Sequence, residues 1–238
     1  LVQRFVAVTE GSREIELYLK VYPAAGLPGA LKDWFRASRA LRALKIGTAL
    51  SREGFGVPQG VAAGERRAMG VVREAFLLTV GIDAAPLPFF LRDRGQSASA
   101  RRKRESLGRL ASEIRSMHRR GFVHGDLVPF NILTRAEAGG HAFFYIDHDR
   151  SKRFPAWFPQ RLWRRNLVQL NRFCLPGITL QDRFRFLKTY LEIHRWSGRE
   201  RRFGRWLERK TRARKTISGA ENTAETSFRK LMTWNGVF

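Results

Sequence analysis

Residues 124–133 read HGDLVPFNIL, a histidine, an aspartate and an asparagine held among apolar side chains. They follow RRKRESLGRLASEIRSMHRRG, residues 101–121, in which Leu107, Leu110, Ile114 and Met117 recur at three- and four-residue spacing before a closing glycine. That spacing predicts a helix with one buried stripe and a glycine C-cap. Beyond the stretch, Gly139 and Gly140 mark a turn, and HAFFYIDHDR reads as an apolar strand that delivers Asp147 at its end. Taken singly, an Asp-Leu pair followed by Asn is an ordinary self-bonding turn, and an aspartate at a strand end is an ordinary helix cap. Taken together, helix, polar loop, strand and carboxylate stand in the order and spacing of a catalytic site.

Upstream, Val2 to Val8 and Ile15 to Tyr22 alternate like two strands, with TEGSRE as the hairpin turn between them. Pro23 to Gly29 is a loop, and apolar residues at helical spacing from Leu31 to Leu50 predict one long helix. Gly60 to Gly64 and Arg73 to Val80 read as further strands, and AAPLP as a break. After Pro159 the predicted elements are helices, at 162–173, 180–196 and 203–214. The expected architecture is therefore α+β with two unequal lobes, a small N-terminal sheet lobe over 1–85 and a larger helical lobe over 86–238.

Composition narrows the partners. With 45 Lys and Arg against 21 Asp and Glu, the 238 residues carry a formal charge of +24, which favours an anionic partner and says nothing about fold. The basic stretches are RRKR at 101–104, the group Arg161, Arg164 and Arg165, and the run from Arg195 to Lys215, in which Trp196, Phe203 and Trp206 are interleaved. Basic residues near an anionic lipid surface contribute on the order of 1 kcal/mol each, and interleaved aromatics suit an interface. An anionic membrane or lipid substrate is the first reading of these stretches and a solvated helix face the second; nucleic acid ranks below both. Cys174 is the only cysteine, so no internal disulfide can form and a reducing compartment is expected. No apolar run reaches the roughly 20 residues that span a bilayer, LVQRFVAV does not read as a signal peptide, and Leu1 is expected to lie within a longer natural chain.

HGDLVPFNIL and FFYIDHDR carry the pattern H-x-D-L-x-x-x-N followed by I-D, and so resemble the catalytic loop and metal-binding aspartate of the protein-kinase-like superfamily. SRALRALKIGTAL, EAFLLT and RRNLVQLNRF further resemble the lipopolysaccharide core kinases that phosphorylate Kdo or heptose, over about Val2 to Tyr190. The resemblance implies a two-lobed kinase-like fold, truncated at its start, that uses ATP and Mg2+. It also implies transfer to a sugar hydroxyl of the lipid A inner core, by a protein peripheral on the cytoplasmic face of the bacterial inner membrane. In that picture Asp126 is the base that takes the proton of the attacking hydroxyl. Asn131 and Asp147 hold magnesium through hard oxygen atoms, and Lys20 in ELYLKVY holds the α and β phosphates of ATP. His124 supports the loop, and Asp149 is the weaker of the two acids in IDHDR.

Two departures stand out. The helix that should offer a glutamate to the strand lysine has Ala43 at the expected position, with Glu53 and Asp33 as off-register substitutes. The glycine-rich loop that covers the phosphates should precede the second strand and is expected upstream of Leu1. Two other functions stay open at this point: a kinase of a soluble acceptor such as an aminoglycoside, choline or a sugar, and a pseudokinase scaffold that binds an anionic lipid or protein.

Overall fold

The protein is described by a computed structural model over residues 1–8, 14–24, 36–89, 100–138, 140–155, 157–158, 161–172 and 178–213. In chain order its elements are β1 (Val2–Val8), β2 (Glu14–Pro23), α1 (Arg39–Arg52), β3 (Gly60–Ala68), β4 (Val71–Val80), β5 (Ala85–Pro86), α2 (Ala100–Arg119), β6 (Phe122–Val123), a 3-10 turn (Pro129–Asn131), β7 (Ile132–Glu137), β8 (Gly140–Tyr145), β9 (Lys152–Arg153), α3 (Trp163–Asn171), α4 (Leu180–Leu191) and α5 (Gly198–Ala213). The mixed α+β character and the strand-then-helix order are those expected. The chain forms two compact units, Leu1–Ala84 with Phe144–Arg153, and Ala85–Phe143 with Phe154–Phe238.

The first unit is built on an antiparallel sheet of order β1-β2-β4-β3. Val2 lies opposite Lys20 and Val8 opposite Glu14, and β2 continues onto β4 with Lys20 opposite Leu77. The TEGSRE turn lies largely outside the described residues. β3 and β4 are joined by Met69 and Gly70, both at positive φ, 50° and 77°, the backbone that a two-residue hairpin needs to follow strand twist. Methionine gives no turn signal, which is why the two strands look shorter in the sequence than they are.

Tyr22, Ala40, Val72 and Ala75 form the core of this unit, with Ala63 and Leu77 packed on it. Successive strand residues face opposite sides, so Lys20 shares a face with Tyr22, the face on which α1 packs through Ala40. The helix starts later than the apolar spacing suggests. Residues 36–38 are not helical, and the Ser38 hydroxyl accepts a hydrogen bond from the Leu41 N–H at 3.3 Å. A serine that satisfies one of the orphan N–H groups of a first turn is more stable as a cap than inside a helix. Trp34, Phe35 and Asp33 lie outside the described residues.

In the second unit α2 packs against α4 and α3 against α5. Of the stripe read from the sequence, Leu110, Ile114 and Met117 are buried on α2, with Ala111 beside them, and Leu107 is half-buried. The helix stops where Gly121 takes φ +81°, and a Cβ there would come within 1.9 Å of the Phe154 carbonyl oxygen. Both conformation and space therefore demand glycine. β5, β7 and β8 form a three-stranded sheet in that order; β7, ILTRAE, escaped the sequence reading because it follows the polar loop without a break.

Two helix ends are corrected. α4 does not reach Trp196: it ends at Leu191, and Glu192 turns left-handed at φ 56° with its carboxylate held by Arg119 at 2.7 and 2.9 Å. α5 begins at Gly198, ahead of Phe203, because Glu200 accepts from the Ser197 N–H at 3.1 Å and the Ser197 hydroxyl accepts from the Arg199 N–H at 3.2 Å. Serine followed three residues later by glutamate is the sequence signature of such a start.

Candidate active site

The stretch 124–131 is held from below by two side-chain amides of α3. Asn166 is fully buried, and its Oδ1 accepts from the His124 N–H at 3.0 Å while its Nδ2 donates to the His124 carbonyl at 2.6 Å. Gln169, three residues on and so on the same helix face, accepts from the Leu127 N–H at 3.3 Å. It donates to the Asp126 carboxylate at 2.8 Å and to the Gly125 carbonyl at 3.4 Å. Each buried backbone group left unpaired would cost about 1–3 kcal/mol, so these contacts let a polar loop lie against the core. Within the loop, the His124 Nδ1 accepts from the Asp126 N–H at 3.0 Å, which puts the proton of a neutral ring on Nε2. Asn131 donates from Nδ2 to the Asp126 carbonyl at 2.9 Å. The structure thus brings Asp126 and Asn131 together on one loop, with the Asn131 amide nitrogen committed to the Asp126 carbonyl.

Behind Asn166 sits His118, buried, with Nδ1 2.8 Å from the Tyr190 hydroxyl and Nε2 3.0 Å from the Asn166 Oδ1. The amide oxygen can only accept, so Nε2 donates and Nδ1 accepts from the phenol. Burial, and secondarily the Arg115 guanidinium, pushes the His118 pKa down to about 4 against the pull of the Asn166 hydrogen bond. The unfolded chain takes up this proton near pH 6.5, whereas the folded protein refuses it until about pH 4. Stability is therefore fully present above pH 6.5 and falls, by about 3 kcal/mol, as the pH drops to 4. Urea denaturation between pH 4 and 7.5 should show that loss, and His118→Gln should remove it; an unchanged pH dependence in the variant would mean that His118 does not carry it.

In the first unit Lys20 and Asp147 meet. The Lys20 ammonium lies 2.5 Å from the Asp147 Oδ1 and 5.1 Å from the centre of the Tyr22 ring. The segment that carries Asp147 is anchored by a Tyr145 N–H to Gly56 carbonyl bond of 2.8 Å and by His148, whose Nε2 donates to the Tyr145 carbonyl at 2.8 Å. Asp147 itself is left-handed at φ 67°, a conformation that aspartate tolerates at a cost and that points to function when a fold maintains it. Burial, and then the Asp147 carboxylate, pushes the Asp149 carboxyl up, while Lys20 pulls it the other way. Burial and the same two acids push the Tyr22 phenol up.

Ala43, at the position where the resemblance implied a glutamate, is buried on α1. The off-register substitute Glu53 is engaged by Arg153 at 2.8 Å, so the carboxylate that Lys20 meets is Asp147. Asn131 in the second unit and Asp147 in the first each carry an oxygen donor of the hard kind that magnesium takes.

The second unit also holds a cavity of about 450 Å³ among α2, α3, α4 and α5, walled by Leu110, Leu167, Leu187 and Leu207, with Arg201 and Arg205 on its lining. At its side Asp182 is buried. Burial would raise its carboxyl, but hydrogen bonds from Lys103, at 2.8 Å, and Thr179 outweigh this and hold it below the usual range. The aromatics interleaved in the basic run are half-buried and pair with other rings: Trp196 meets Phe184, Phe203 meets Trp163, and Trp206 stacks on Phe203. The Arg164 guanidinium lies 5.4–5.8 Å from the Trp163, Phe203 and Trp206 rings. What α5 exposes is charge, at Arg201, Arg202, Arg205, Arg209 and Lys210. Among the described residues no helix is long and apolar enough to cross a membrane.

Asn166 and Gln169 escaped the sequence reading. Their signal was two amides three residues apart in a helix whose neighbouring positions, Leu167 and Val168, are buried.

Comparison with known proteins adds three findings. The profile of the lipopolysaccharide kinase (Kdo/WaaP) family matches residues 29–190, a span that holds Asp126, Asn131 and Asp147 and leaves out Lys20. A search of curated proteins found no significant match. Among solved structures, WaaP in complex with acyl carrier protein is similar at a TM-score of 0.61, covering 89% of this chain and 89% of that one at 24% identity, which shows a shared fold.

Proposed function

The chain belongs to the lipopolysaccharide kinase (Kdo/WaaP) family, and from that premise we propose that it transfers the γ-phosphate of ATP to a Kdo or heptose hydroxyl of the lipopolysaccharide inner core. The observation that carries this reading is the loop 124–131 lying inside the matched span, with the Asp126 carboxylate held by Gln169 and the Asn131 amide tied to the Asp126 carbonyl. Asp126 takes the proton of the acceptor hydroxyl. Lys20 supplies a compact positive charge to the ATP phosphates, exchanging its Asp147 partner for them. Asn131 and Asp147 would hold magnesium, which would neutralise charge on the transferring phosphoryl group. Positioning and charge neutralisation do most of the work in such a transfer. The residues this reading needs as base and oxygen donors, Asp126, Asn131 and Asp147, all stand in the sequence, which favours it over the scaffold alternative.

The exposed charge of α5 and the net +24 support a peripheral site of action at an anionic membrane surface, the cytoplasmic face of the inner membrane in this reading. The deciding experiment is transfer of labelled γ-phosphate with Mg2+ to lipid A carrying Kdo, with or without heptose. Label in the lipid is the expected result. Label only in a soluble sugar, choline or aminoglycoside would replace this acceptor with the soluble class.

A second reading concerns a partner. The similar WaaP structure holds acyl carrier protein, and the cavity here is leucine-walled with arginines at its lining, a place suited to an acyl chain on an anionic arm. We infer an acylated carrier protein as a binding partner. Thermal stabilisation by the acylated form well beyond that by the unacylated form is expected; equal shifts would remove the cavity from the account.

A further inference from the structure

We propose that Gln169, backed by Asn166, is a positioning residue for Asp126, fixing which carboxylate oxygen is presented to the reacting hydroxyl; the inference rests on the reading of Asp126 as the base. The two amides have little freedom. The Asn166 Oδ1 accepts from the His124 N–H and from the His118 Nε2, and its Nδ2 donates to the His124 carbonyl and, at 3.0 Å, to the Gln169 Oε1. The Gln169 Oε1 also accepts from the Leu127 N–H, and its Nε2 donates to the Asp126 Oδ1 and the Gly125 carbonyl. All four hydrogen-bonding positions of each amide are filled. Turning either one over would set donor against donor and acceptor against acceptor at buried sites, where each unmade bond is expensive.

The direction of every bond is therefore fixed from the Tyr190 hydroxyl, through His118, Asn166 and Gln169, to the Asp126 Oδ1. The same amides grip the peptides on both sides of Asp126. With Oδ1 engaged by Gln169, Oδ2 is the oxygen this reading gives to the acceptor.

The chemistry of the partner matters as much as its place. This chain has 45 Lys and Arg, yet the group donating to this carboxylate is a neutral amide. A cation at that distance would hold the carboxylate more strongly and also lower its basicity, which a general base needs. A buried amide supplies orientation without adding charge.

Gln169→Glu separates this role from a purely structural one, because the variant keeps an oxygen to accept from Leu127 and Asn166 and turns a second oxygen toward Asp126. With folding intact, kcat should fall by about 10- to 100-fold while KM for ATP stays within about twofold. The acid limb of the kcat profile should move to higher pH, since two facing carboxylates retain a proton between them. Should this variant not fold, Gln169→Met, which removes the donor without adding charge, should show the same kcat loss at unchanged KM. Normal kcat and an unmoved limb in a folded Gln169→Glu, or normal kcat in Gln169→Met, overturn the inference. Asp126→Asn is assayed beside them: if it is inactive while the Gln169 variants are normal, only the positioning role falls, and if it retains full transfer, the base reading falls and this inference with it.

Discussion

Asp126→Ala is expected to lower the rate of phosphoryl transfer by about 10²- to 10⁴-fold, the usual share of a positioned general base, while ATP binding survives. The structural cost is small by comparison. The Asp126 side chain accepts from Gln169, whose Nε2 keeps the Gly125 carbonyl at 3.4 Å as a second acceptor, and the backbone bonds of the loop run to His124, Asn131 and Asn166 without that carboxylate. Stability should fall by about 1–3 kcal/mol, the cost of leaving one Gln169 N–H without its acceptor. Lys20 belongs to the other unit, so the nucleotide contact proposed for it is expected to survive the loss of Asp126. Single-turnover rates with Mg2+ and ATP, set beside nucleotide-induced thermal shifts, read the two effects separately. Near-normal turnover in a folded variant would end the base assignment, whereas loss of both turnover and nucleotide binding would mark Asp126 as a structural residue of the loop.

Different parts of this site were legible in the sequence for different physical reasons. The loop 124–131 announces itself because its polar residues are close in sequence and lie among apolar neighbours, so local pattern alone isolates them. The meeting of Lys20 with Asp147 depends on the return of residues 144–153 to the N-terminal unit, a long-range event that no local period encodes. Ala43 was visible as a missing carboxylate, but that Asp147 meets the lysine in its place is a fact of packing. Asn166 and Gln169 were hidden by the pattern that revealed their helix: RRNLVQLN reads as an amphipathic turn, and a buried amide looks polar until its partners are known. The misplaced starts and stop of α1, α4 and α5 share one cause. Ser38, Glu192 and Ser197 end or begin helices through side-chain bonds and a left-handed residue, to which apolar spacing is blind.

Asp147→Asn is the second substitution with a large expected effect, and it is informative because function and stability should part company. The ion pair with Lys20 is partly open to solvent, with side chains 30% and 38% exposed, and such pairs contribute about 0–1 kcal/mol. The backbone at φ 67° costs an ordinary residue on the order of 1 kcal/mol, a cost that asparagine tolerates as well as aspartate and that glycine removes. A purely structural Asp147 would make both Asp147→Asn and Asp147→Gly destabilising. A magnesium ligand predicts the reverse: stability within about 1 kcal/mol for the asparagine variant and equal or higher for the glycine variant. Transfer should fall by more than about 10²-fold in both, because a lost direct ligand costs at least what outer-shell changes cost. Raising Mg2+ should restore part of the rate in Asp147→Asn, which keeps one amide oxygen, and none in Asp147→Gly. Urea denaturation and Mg2+ titrations of the transfer rate test this together: unchanged transfer, or a stability loss that matches the activity loss, would return Asp147 to the role of a surface partner for Lys20.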